Sequence, residues 1–162
     1  MSDANAHTAT RAVAPIRATV EVGVPPARAF DVFTKRMTEW WPAEYAMVPT
    51  PRQVIVEPKV GGRWYERGAD GSERLVATVA AWEPPGHVAF NWHIDAAWQS
   101  NPKLATEVEV RIIAAGNGTR VELEHRDLDR FGEQAEATRA GLSGKGGWGD
   151  LLLGFAAAAG RH

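Results

Sequence analysis

The stretch TEVEVRIIAAGNGTRVELEHR, residues 106–126, decides the fold. In its first half Val108, Val110 and Ile112 share one parity, while Glu107, Glu109 and Arg111 share the other. In its second half Val121, Leu123 and His125 oppose Arg120, Glu122 and Glu124. Successive side chains of a strand point to opposite faces, so the pattern predicts two strands, Thr106 to Ala114 and Thr119 to Arg126, each with one dry face and one wet face. Gly116-Asn117-Gly118 between them supplies the turn residues of an antiparallel hairpin.

A dry sheet face needs a cover, and the sequence supplies one downstream. Trp148, Leu151, Leu152, Phe155, Ala156 and Ala159 recur at i, i+3, i+4, i+7, i+8 and i+11, the apolar stripe of an amphipathic helix. Glu133 to Leu142 also has helical character. Gly144, Gly146 and Gly147 then disfavour helix by about 1 kcal/mol each relative to Ala, which predicts a break near 143–147.

Upstream, Ile16, Ala18, Val20, Val22 and Val24 alternate with Arg17, Thr19, Glu21 and Gly23, predicting a first strand. Pro25-Pro26 ends it and suits a first helical turn, and Ala29, Phe30, Val32, Phe33 and Met37 predict a short helix over about 26–37. Trp40-Trp41-Pro42 closes that region, and 43–52 reads as irregular or as a second short helix. Four strand-like runs follow, at 53–57, 63–67, 73–83 and 87–94, separated by Pro58, Gly61-Gly62, Asp70-Gly71 and Pro84-Pro85-Gly86. In the run 87–94, Val88, Phe90, Trp92 and Ile94 face together, and Asn91 and His93 take the other side. The order strand, helix, antiparallel strands, long helix predicts one α+β domain over 15–162, in which a curved antiparallel sheet wraps the C-terminal helix. Met1 to Ala14, small and polar, reads as a disordered tail.

Composition excludes several functions. A net charge of -2 provides no positive field for nucleic acid. No apolar run approaches the roughly 18 residues that span a bilayer. With no cysteine, disulfides, thiolate metal sites and Cys nucleophiles are ruled out, and a cytoplasmic location is expected. The five histidines (His7, His87, His93, His125 and His162) never adopt metal-ligand spacing, and the glycines of 141–149 do not spell a phosphate loop. No metal and no cofactor is therefore expected. Glu66, Glu107, Glu109, Glu122 and Glu124 all read as solvated strand faces, so no residue pattern compels an enzyme.

The motifs carry a family likeness. Val24-Pro25-Pro26-Ala27-Arg28-Ala29-Phe30-Asp31-Val32-Phe33 with Trp40-Trp41-Pro42, then Gly61-Gly62-Arg63-Trp64, then Trp82-Glu83-Pro84-Pro85 with Val88 to Trp92, and finally Gly146-Gly147-Trp148 occur in an order that resembles the SRPBCC (START-like) superfamily. Within it, the chain is similar to the family named for the activator of Hsp90 ATPase. The resemblance implies a helix-grip fold with two short helices after the first strand and a cavity between the sheet and the long helix, a shape used for lipids, hormones, polyketides and aromatic compounds.

The chain's seven tryptophans suit such a cavity, although large aromatics also simply fill cores. The candidate ligand-binding residues are Trp64, Trp82, Phe90, Trp92 and Trp98 on the sheet side, with Trp148, Leu152 and Phe155 on the helix. His125 joins them because its parity with Val121 and Leu123 points it inward, where an imidazole orients a polar group or titrates near neutral pH. The leading expectation is binding of a small hydrophobic or aromatic ligand. Its alternatives are an Hsp90-activator-like module binding a chaperone or other protein, and a cyclase or hydratase with His125 in acid–base chemistry. A homodimer is left open.

Overall fold

The computed structural model describes residues 13–161. The predicted tail therefore falls mostly outside the described residues. Of its last part, the Ala14 carbonyl accepts a hydrogen bond from Arg139 Nε at 2.7 Å.

Seven antiparallel strands form one curled sheet: β1 (Ile16–Val22), β2 (Gln53–Val56), β3 (Arg63–Arg67), β4 (Glu73–Glu83), β5 (His87–Trp92), β6 (Thr106–Ala115) and β7 (Gly118–Arg126). Their spatial order is β1-β7-β6-β5-β4-β3-β2, so the chain meanders across the sheet from β2 to β7 and the first strand closes the far edge. The hairpin of 106–126 pairs Val110 with Leu123 and Ile112 with Val121, and these four side chains are buried. The glutamates and arginines between them face out, as the alternation requires.

Helix α1 (Pro26–Thr34) begins at the double proline and ends before the predicted 37, because the Lys35 and Arg36 amides both return to the Asp31 carbonyl. Two single 3-10 turns follow, Met37–Glu39 and Ala43–Tyr45. The C-terminal third is a 3-10 segment Leu128–Gln134, helix α2 (Ala135–Ser143), and helix α3 (Trp148–Ala159) after the glycine break. The break needs glycine for two local reasons. Gly146 has φ +80°, and a Cβ on Gly147 would sit 2.1 Å from the Leu142 carbonyl oxygen.

Trp148, Leu151, Leu152, Phe155, Ala158 and Ala159 of α3 are buried against the concave sheet face and α1. Phe155 meets Phe33 and Trp40 edge-on at 5.3 and 5.6 Å. Such contacts add about 0.5–1.5 kcal/mol each beyond area burial.

One reading of polarity is corrected by the fold. Glu66 is fully buried rather than solvated. It shares parity with Trp64, which faces the core, and the segment 41–52 folds over it. The Met47 amide donates to its Oε1 at 2.7 Å, and Arg52 Nε stands 3.7 Å from its Oε2. Burial pushes the Glu66 carboxyl up, against the Met47 amide and the Arg52 charge, which pull it down. His93 does take the outer side of the sheet but is buried, because the loop 95–105 covers it. His93 Nδ1 donates to the Leu104 carbonyl at 2.7 Å, and the Thr78 hydroxyl donates to Nε2 at 3.1 Å.

Candidate functional site

A cavity of about 310 Å³ opens between the ends of β5, the loop 95–105, α2 and the first turn of α3. One wall is aromatic, and its rings come from separate elements: Tyr45, Trp92, Trp98, Phe131 and Trp148. The opposite wall is the face of α2 and its flanks, where Gln134, Ala137, Thr138 and Gly141 follow helical spacing and Lys145 comes from the glycine break after the helix. Small residues in the middle of that wall leave the space that the rings enclose.

Asp95 shapes the loop side. Its Oδ1 accepts the Ala97 and Gln99 amides, both at 2.9 Å, and the Trp98 amide returns to the Asp95 carbonyl. This turn holds Trp98 at φ +60°, in the left-handed region that bulky side chains rarely adopt. The conformation is over-determined: Trp98 Nε1 donates to the Tyr45 carbonyl at 3.0 Å, and the Trp98 ring packs on Tyr45 at 5.3 Å and Trp92 at 6.0 Å. The Tyr45 hydroxyl in turn donates to the Gly146 carbonyl across the mouth. Burial, with Glu44 and Asp150 nearby, raises the pKa of that hydroxyl.

Behind the aromatic wall lies a buried polar chain. Trp148 Nε1 donates to His125 Nδ1 at 3.0 Å, so Nδ1 carries no proton and His125 Nε2 donates to the Thr106 hydroxyl at 2.8 Å. Burial pushes the His125 pKa down to about 3, keeping the ring neutral.

Of the nine sequence candidates, Trp92, Trp98 and Trp148 line the cavity. Trp64, Phe90, Leu152 and Phe155 lie in the packed interior behind it, and Trp64 touches the wall through Trp92 at 5.6 Å. His125 points inward, as its parity predicts, but both its nitrogens are used by Trp148 and Thr106. Trp82 lies apart, half-buried and edge-on to Phe30 at 5.0 Å. Sequence reasoning missed Tyr45, Phe131 and the α2 wall. The spacing of Gln134, Thr138 and Gly141 was a signal for the last, since these residues share one helical phase.

A curled antiparallel sheet gripping a C-terminal helix, with an aromatic cavity at one end of the grip, defines an SRPBCC-type helix-grip domain. Residues 23–160 match the family model described as Activator of Hsp90 ATPase homolog 1-like protein, and the chain belongs to that family. Among solved structures it is similar to an anthrahydroquino-γ-pyrone synthase, Txn09, at 38% identity and TM-score 0.63, over 91% of this chain and 97% of that one. It is also similar to CalC, a self-sacrificing resistance protein from Micromonospora echinospora, at 27% identity and TM-score 0.67, over 91% and 94%. The Aha1 dimer from Colwellia psychrerythraea aligns at 15% identity and TM-score 0.61, over 93% and 100%, a likeness of fold. No curated protein matches the chain. Among the described residues no helix is long and apolar enough to cross a membrane.

Proposed function

We propose that the domain binds a small aromatic molecule in the cavity between the aromatic wall and α2. The observation that carries this reading is the convergence of five rings, each from a different element, on one solvent-open pocket of about 310 Å³. Apolar surface buried there is worth about 25 cal/mol per Å² before the costs of association. The volume is at the lower end for small-molecule sites, which suits a ligand of two or three fused rings.

A second reading, ring closure on an aromatic polyketide-like substrate, is favoured by the 38% identity to a protein named as an anthrahydroquino-γ-pyrone synthase. It uses the same cavity, with the walls holding the substrate in a folded conformation.

Gly141 provides the test. It lines the cavity from α2, and a Cβ built on it meets no atom within 4 Å. Gly141→Leu fills the space without a backbone clash, and replacing a helical glycine adds about 0.5–1 kcal/mol of stability. Tryptophan fluorescence and thermal shift against fused-ring aromatics should give saturable binding in the native protein. The variant should bind at least tenfold more weakly at an equal or higher Tm. Unchanged affinity in Gly141→Leu would remove the cavity from consideration.

A further inference from the structure

The two walls differ in chemistry, and the difference bears on what the ligand carries. Toward the rings the cavity offers aromatic faces, whereas along α2 and the break after it the polar lining is Gln134, Thr138 and Lys145. Among the described residues, none of these three side chains makes a hydrogen bond or an ion pair. The carboxylate on the lining, Asp95, engages one of its oxygens, Oδ1, with two amides of its own loop. A lysine ammonium only donates, while a glutamine amide and a threonine hydroxyl can each donate. What all three have in common is that they can donate to an acceptor oxygen. Gln134 and Thr138 are one helical turn apart, about 6 Å along the axis, and Lys145 lines the same cavity from the glycine break after the helix.

Resting on the ligand-binding reading above, we propose that the site selects oxygenated aromatics, meaning fused-ring ketones, phenols or acids. Their ring face lies on Trp92, Trp98 and Trp148, and their oxygens run along the edge formed by Gln134, Thr138 and Lys145. Lys145 is the strongest contributor, because a charge-assisted hydrogen bond to a keto or phenolate oxygen exceeds a neutral one. The edge thus determines specificity, and the rings supply general affinity.

The experiment compares 1-hydroxy-2-acetonaphthone with 2-ethylnaphthalene, two compounds of one ring outline that differ in their oxygens. Titrations follow tryptophan fluorescence in the full chain and in Gln134→Leu, Thr138→Val and Lys145→Ala. Gln134 and Lys145 are exposed and Thr138 is half-buried, so the fold tolerates these changes. The native protein should prefer the ketone. Lys145→Ala should weaken the ketone about tenfold, while hydrocarbon affinity stays within about twofold. Lys145→Arg should restore most of the preference. Equal binding of the two compounds, or equal losses for both in the variants, would overturn the oxygenated edge and leave the cavity reading standing. Failure of both compounds to bind would overturn the two together.

Discussion

Between pH 7.5 and pH 5.0, above the usual range of carboxylate titration, acid should destabilise this domain through His125, and the size of the effect follows from its surroundings. In the unfolded chain the imidazole takes a proton near 6.5. In the folded protein it is buried between Trp92, Trp148 and Thr106 and resists protonation down to about 3. Below pH 6.5 the unfolded state therefore binds more protons than the folded one, and stability falls as the pH falls. The slope is about 1.4 kcal/mol per pH unit, flattening below about pH 3, and above 6.5 there is no contribution. Between pH 7.5 and pH 5.0 the loss from this group is about 2 kcal/mol. His125→Gln is the control: its amide oxygen can accept from Trp148, its NH2 can donate to Thr106, and it does not titrate. Urea unfolding of both proteins at the two pH values isolates the term, since every other titrating group is shared. The native protein should lose about 2 kcal/mol more than the variant on acidification. Equal losses would refute both the neutral tautomer and the burial argument.

Two further substitutions probe what holds the cavity's surroundings. Arg52→Met leaves the buried Glu66 carboxylate without its counter-charge and removes the hydrogen bonds from Arg52 to the Trp41 and Pro42 carbonyls. The expected cost at neutral pH is about 3–5 kcal/mol by urea unfolding. Arg52→Met combined with Glu66→Gln should recover much of it, because the neutral amide still accepts from Met47. Gly146→Ala puts a Cβ 2.6 Å from the Tyr45 hydroxyl at a residue with φ +80°. It should cost at least about 1–2 kcal/mol, read as a fall in Tm of several degrees, with part of the clash relieved by Tyr45→Phe.

The elements were legible in the sequence because their signals are local and periodic. Alternation over 106–126 set both strands and their inward face, down to the direction of His125. The stripe from Trp148 to Ala159 set the covering helix, and the three glycines set the break before it. The departures occur where a distant segment intrudes. Glu66 carried the parity of Trp64, a signal that it faces inward, yet its charge argued for solvent until 41–52 closed over it. His93 was placed on the correct side, but its burial depends on a loop that contacts it from residue 104.

By itself the sequence determined an α+β grip, its strand faces and a surplus of aromatic rings, since hydrogen-bond periodicity and side-chain alternation are written along the chain. Which rings bound open space was decided only in three dimensions. Trp64 and Phe90 look as suitable as Trp92 when read along their strands, but neighbouring rings pack over them and close their surroundings. Trp92 meets Tyr45, Trp98, Phe131 and Trp148 around a gap that small residues on α2 leave unfilled. A cavity is a property of what several elements jointly fail to fill, and no single stretch of chain encodes it.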